Sequence, residues 1–162
     1  MSLLGNLFPG IQHLQNIHPL LVHFPIAYLC GALLFYGLAW VLKSERLEYT
    51  GFLILSLGTL AAAAAVAAGL RAEATVLISP SVRAHLLEHH EDLMLTTLGL
   101  SIAATAWAAW DRPFPRRGRP LFFLLLLVMV TVMALGADFG ARMVYDYNVG
   151  GRACPQPLEF TR

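Results

Sequence analysis

Four long runs of uncharged, mostly apolar residues restrict what this chain can fold into more than any other feature. They cover positions 24–42, 49–70, 93–110 and 121–137 of the sequence. A helix needs about 20 apolar residues to cross the hydrocarbon core of a bilayer, with a range of about 17–25, and all four runs fall within that range. Only helices and closed barrels satisfy the backbone in lipid, and these runs do not alternate as barrel strands do. They therefore predict four transmembrane helices.

The composition excludes two other classes of protein. Of the 162 residues, 57% are apolar and only 13% are charged, whereas a soluble domain has about 25% charged residues. The formal net charge of +1 provides no field that would attract nucleic acid. We therefore expect an all-α polytopic membrane protein whose first partner is the lipid bilayer, with no nucleic-acid partner.

The loops between the runs set the topology. The short loops over residues 43–46 and 111–119 carry six of the eleven Lys and Arg residues, and basic short loops stay on the cytoplasmic side. Short loops also join antiparallel neighbours, so we expect an up-down-up-down four-helix bundle. Both termini and the loop over residues 71–91 would then face outward, toward the periplasm if the protein lies in a bacterial inner membrane. No charged side chain occurs before Lys43, so the basic start of a cleavable signal peptide is missing.

These patterns divide the chain into three parts. Residues 1–17 form an apolar lead-in or an interfacial segment. Residues 18–144 form the transmembrane domain, with spans at about 24–42, 49–70, 93–110 and 121–142, because the last run can continue helically past Asp138 and Arg142. Residues 145–162 are expected to form an extended, outward-facing tail.

Histidines are predicted to gather at one end of the bundle. His18 and His23 precede the first span, and His85, His89 and His90 precede the third. Spans one and three run parallel in this topology, so both groups lie at the same outer level. His85 and His89 are four residues apart and share a helical face. When the sequence is aligned with itself so that His18 matches His85, His23 also matches His90, which raises the alternative of a duplicated helical hairpin.

Paired imidazoles from facing helices are typical axial ligands of a b-type haem. The chain has no Cys-x-x-Cys-His sequence, so a covalent c-type haem is not expected. A non-haem copper, zinc or iron site is the alternative, since imidazole suits all three metals. Arg71 and Arg142 are candidates for the haem propionates, and Asp138 is a candidate for orienting a ligand imidazole. The candidate metal ligands are His18, His23, His85 and His89.

Two segments resemble a known bacterial family. The sequence HPLLVHFPI at residues 18–26 looks like the signature of the small four-helix membrane proteins catalogued as domain of unknown function 2231 (DUF2231), and GARMVYDYNVG at residues 140–150 resembles that family's C-terminal pattern. The similarity covers residues 17–150. It implies a bundle with inward histidines near the outer surface, and His18 and His23 match the family motif. Members of that family are often found beside or fused to Rieske-type iron–sulfur domains and cytochromes. The resemblance therefore implies a redox role.

The sequence thus predicts a small cytochrome b-like protein, or the haem-carrying subunit of a respiratory or photosynthetic electron-transfer complex. Its partners would be other membrane or periplasmic redox subunits, with quinol as a further candidate. Such a chain is an electron-transfer or accessory subunit rather than an enzyme on its own, because the cofactor carries the chemistry. The alternatives are a structural transmembrane subunit without a cofactor and a non-haem metal site.

Overall fold

The computed structural model describes residues 16–111 and 113–150, and this part of the chain is helical without strands. The predicted lead-in before residue 16 and the tail beyond residue 150 lie outside the described residues. The elements in chain order are α1 (His18–Leu21), α2 (His23–Leu42), α3 (Glu45–Glu73), α4 (Pro80–Val82), a π-helical turn (Arg83–Leu87), α5 (Glu88–Asp111) and α6 (Arg119–Tyr145).

Four helices are long and apolar enough to cross a membrane: His18–Leu42, Glu45–Glu73, Pro80–Asp111 and Arg119–Tyr145. The prediction of an all-helical protein with four transmembrane helices is confirmed. Each helix extends beyond its uncharged run. At about 1.5 Å per residue, α3 with its 29 residues is longer than the hydrocarbon core, which is about 30 Å thick. Its charged ends therefore reach the headgroup region, and no charge is buried in the core.

Two prolines shape the start of the first span. Pro19 opens α1, and a turn at Val22 separates α1 from α2. Pro25 lies in the first turn of α2. Proline has no backbone N–H, and in the first turn an N–H would have no acceptor within the helix, so no hydrogen bond is lost. The chain therefore uses both prolines as local helix starts, and His18 and His23 fall on either side of the break.

The bundle consists of two helical hairpins. In each, two consecutive helices pack together, α2 with α3 and α5 with α6, and the hairpins meet through α3–α5 and the thinner α2–α6 contact. Small residues along the buried faces let the helices approach closely; they include Ala32, Gly51, Gly58, Ala65, Ala104 and Ala108. Large apolar side chains such as Leu34, Leu60 and Leu135 are more than half exposed. In a bilayer these outward faces contact lipid.

An aromatic cluster closes the end that carries the two basic loops, which we call the basic end. The Tyr36 hydroxyl donates to the Pro113 carbonyl at 2.7 Å, and the Tyr36 ring packs on buried Phe114 and Phe122. Arg119 lies 4.8 Å over the Phe114 ring and pairs with Glu48 at 3.1 Å. This cluster joins both hairpins to the loop between α5 and α6.

The opposite end, the histidine end, has its own small core. Val82, Leu86 and Met143 are buried together, and the turn after α6 folds back so that Tyr147 and Val149 pack on them. Of the predicted tail, residues 146–150 thus lie against the bundle. The π-helical turn, an element often found at functional sites, leads directly into the helix that carries His90.

Candidate functional site

His18 is held against α3 by its own ring nitrogen. The Nδ1 atom of this half-buried side chain lies 2.9 Å from the Ala65 carbonyl oxygen. Gly69, one turn further along α3, makes room for the ring, since a Cβ placed there would lie 3.0 Å from His18 Cε1. A carbonyl can only accept, so Nδ1 carries the proton. In the neutral imidazole, Nε2 then keeps its lone pair for another partner.

His90 is held in the same way against α6. Its Nδ1 atom donates to the Gly136 carbonyl at 2.7 Å. One turn later, Gly140 leaves space that a Cβ would fill at 3.0 Å from His90 Cε1. The His90 side chain is also half-buried, and its Nε2 is likewise left for another partner.

The two rings meet between the hairpins. The ring centroids of His18 and His90 are 6.3 Å apart, and the ring planes are nearly perpendicular at 86°. Two imidazoles with the same tautomer, each fixed by a backbone carbonyl and a small-residue notch, therefore face one another at the histidine end. We call His18, His90 and their two carbonyl–glycine notches the imidazole pair site.

The imidazole pair site repeats across the two hairpins. His18 corresponds to His90, and its acceptor Ala65 corresponds to Gly136. The number of residues from His18 to His90 is nearly the same as the number from Ala65 to Gly136. The internal repeat read from the sequence matched His18 with His85 instead. The equivalence in space therefore has a different register from the one that the sequence suggested.

The other candidate histidines occupy the periphery. His23, His85 and His89 are exposed. The His89 ring stacks on Phe139 with centroids 5.5 Å apart, and His85 lies in the π-helical turn. The structure thus brings His18 together with His90, whereas the set predicted from the sequence was His18, His23, His85 and His89.

The predicted cofactor-binding residues lie at the histidine end of the bundle. Arg71 and Asp138 are exposed. Arg142 is half-buried, and its Nε lies 3.7 Å from a carboxylate oxygen of Asp146 one turn later. No group of three or more His, Cys, Asp or Glu side chains with metal-ligand spacing occurs within residues 16–111 and 113–150.

Sequence reasoning passed over His90, although two signals pointed to it. The internal repeat already matched His90 with His23. The second signal is a pair of small residues four apart near the end of each hairpin, Ala65 with Gly69 and Gly136 with Gly140. In the structure Gly69 lies beside the His18 ring and Gly140 beside the His90 ring.

Comparison with known proteins agrees with this architecture. Residues 14–153 match a family described as a predicted membrane protein. No curated protein and no solved structure shows significant similarity to the chain. The matched range includes all four spans and both members of the imidazole pair, and the chain, a multi-pass membrane protein, belongs to the DUF2231 family.

Proposed function

We propose that this chain is a membrane electron-transfer protein that binds one b-type haem through His18 and His90. The observation that carries the proposal is the imidazole pair site. It offers two imidazole nitrogens from the two hairpins of one bundle, an arrangement that haem-binding bundles use. His18 and His90 would be the protein ligands of the haem iron.

The spacing of the rings fits that role. A metal–imidazole nitrogen bond is about 2.0 Å long, and with about 1.2 Å from nitrogen to ring centre, two rings on opposite sides of one ion have centroids about 6.4 Å apart. Tetrahedral ligands would bring the centroids to about 5.2 Å by the same bond lengths. The observed 6.3 Å would let both imidazoles bind one metal ion.

The hydrogen bonds at Nδ1 support the same assignment. Histidines that ligate metals usually donate the other ring N–H to a carbonyl or carboxylate, which fixes the tautomer and the ring orientation. Both members of the pair make this bond, at 2.9 Å to Ala65 and 2.7 Å to Gly136. The residues of this chain would therefore hold and orient the ligands, and the bound iron would supply one-electron redox chemistry.

The remaining parts of the proposal concern the surroundings. Arg71 and Arg142 lie at the same end of the bundle and are the cations we assign to the propionates. The basic loops at the opposite end favour a site at the outer face of a bacterial inner membrane. We propose that electrons pass there between a membrane quinol and a periplasmic redox subunit.

The test is haem content and the visible spectrum of protein purified in mild detergent. We expect a b-type band in the dithionite-reduced minus air-oxidised spectrum and about one haem per chain in the pyridine haemochrome assay. His18→Ala and His90→Ala should each remove the band. The matched controls His23→Ala and His89→Ala should keep it, because both side chains are exposed.

Three results would overturn the proposal. A flat spectrum from protein purified with its natural partners would favour the structural subunit. Stoichiometric copper or zinc without haem absorption would favour the non-haem site. Loss of the band in His23→Ala or His89→Ala, with retention in His90→Ala, would return the ligand assignment to the set predicted from the sequence.

A further inference from the structure

A second feature lies on the lipid-facing surface, at the thin contact between α2 and α6. An open, almost wholly apolar groove of about 590 Å³ runs there. Its wall is one face of α2 from Cys30 to Val41, and Phe123 of α6 closes its edge. Gly37 forms the floor, where a Cβ would lie 3.4 Å from the Phe123 ring.

Exposed cations lie in the two loops that follow and precede the helices of the groove. Lys43 follows the last groove residue of α2 by two positions, and Arg116 and Arg117 precede the helix that carries Phe123. With Arg46 they are exposed and belong to no ion pair in the part of the chain that the structure describes, whereas Arg119 is paired with Glu48. The groove therefore ends toward the basic end of the bundle, whose two loops carry these four cations.

The length of the groove distinguishes between occupants. Cys30 and Val41 are three helical turns apart on α2, which is about 16 Å along a helix. One leaflet contributes about 15 Å of the hydrocarbon core. A packed partner helix would instead need a seam across the whole core, about 30 Å long.

We propose that this groove binds one anionic phospholipid of the leaflet at the basic end. One acyl chain lies in the groove against Gly37, and the headgroup phosphate contacts Lys43 and the arginines before α6. Basic residues beside a transmembrane helix attract anionic lipids. An apolar groove that ends at such residues therefore selects a lipid that has both an acyl chain and an anionic headgroup. This site is independent of the imidazole pair site at the other end of the bundle.

Trp40 allows a direct test because it lines the groove. The protein, with Trp107→Phe and Trp110→Phe so that Trp40 is its only tryptophan, is placed in vesicles that contain brominated phosphatidylglycerol or brominated phosphatidylcholine. We expect phosphatidylglycerol to reach half-maximal quenching at a lower mole fraction than phosphatidylcholine. The difference should be about fivefold for each cation that contacts the headgroup. Retention of phosphatidylglycerol by the wild-type chain in native mass spectrometry gives the same answer without substitutions.

Variants locate the site. Gly37→Leu should abolish the preference for phosphatidylglycerol by filling the groove, and Lys43→Gln should reduce it. Gly99→Leu is the matched control, because Gly99 is an exposed helical glycine whose Cβ would meet nothing within 4 Å.

Equal quenching by the two lipids, or a preference that survives Gly37→Leu, would overturn the proposal. So would oxidative crosslinking of two chains through exposed Cys30 in a Cys154→Ser background, together with protection of Trp40 from both lipids. That result would identify a second copy as the occupant.

Discussion

A single methyl group added at Gly69 should separate the proposed binding of haem from the stability of the fold. The Cβ of Gly69→Ala would lie 3.0 Å from His18 Cε1 and 3.2 Å from Nδ1. Carbon atoms pack at about 3.5–4.0 Å, so the ring has to withdraw by about 0.5 Å or more. Because Ala65 lies one turn away on the same helix, that movement also lengthens the bond from His18 Nδ1 to the Ala65 carbonyl.

The magnitude follows from that bond. From 2.9 Å, it would lengthen beyond the usual limit of about 3.2 Å. Its loss costs about 0.5–1.5 kcal/mol, while replacing a helical glycine by alanine contributes about 1 kcal/mol. The free energy of unfolding should therefore change by less than about 1 kcal/mol. Losing a group that orients a metal ligand typically lowers metal affinity about 10- to 100-fold, so haem affinity should fall by at least about tenfold.

The assay compares haem affinity with thermal unfolding in the same detergent. Titration of haem into the apo-protein of wild type and Gly69→Ala gives the affinity ratio, and Gly140→Ala repeats the change at His90, where the Cβ would lie 3.0 Å from Cε1. Gly99→Ala is the control. It makes the same chemical change in open space, so its haem affinity should equal that of the wild type.

Two patterns of results would refute this reasoning. If Gly69→Ala and Gly140→Ala bind haem as tightly as Gly99→Ala, the notches do not position the ligands. If all three lose haem equally, the glycines act through helix flexibility rather than through contact with the rings.

Two further predictions concern the packing of the bundle. Tyr36→Phe should lower the free energy of unfolding by about 1–3 kcal/mol, because it leaves the buried Pro113 carbonyl without its donor; thermal unfolding in detergent measures this, and an unchanged midpoint would contradict it. Thr59 and Thr105 join the two hairpins through hydroxyls 2.8 Å apart, so a double-mutant cycle with valine at both positions should give a coupling free energy of about 0.6 kcal/mol. Substitution of the exposed Thr131 by valine is the control, because its hydroxyl bonds only within its own helix. Zero coupling between Thr59 and Thr105 would show that their bond does not fix the position of α3 relative to α5.

The architecture could be predicted because lipid imposes it. Uncharged runs as long as the one over positions 49–70 have one stable outcome in a bilayer, and the short loops leave one order for the helices. The helix ends were less predictable, since α3 extends outward to Glu45 and Glu73. Charged residues at the interface permit a helix to continue but do not require it.

The site was only half predictable, for a geometric reason. The sequence placed five histidines at one end, and the structure brings His18 and His90 together there. Adjacent helical residues point about 100° apart, so the choice between His89 and His90 depends on how α5 is rotated about its axis. That rotation is set by packing against α6, where the His90 ring fits the Gly136–Gly140 notch and the His89 ring stacks on Phe139.

The central proposal is that His18 and His90 bind one haem iron. Electron paramagnetic resonance of the oxidised protein tests it most directly, because the signal of low-spin ferric haem depends on the angle between its two imidazole planes. The angle of 86° predicts the highly anisotropic low-spin signal of perpendicular ligands, and His90→Ala should convert it to a high-spin signal. A rhombic low-spin signal, which parallel planes give, or the absence of any haem signal, would contradict the account.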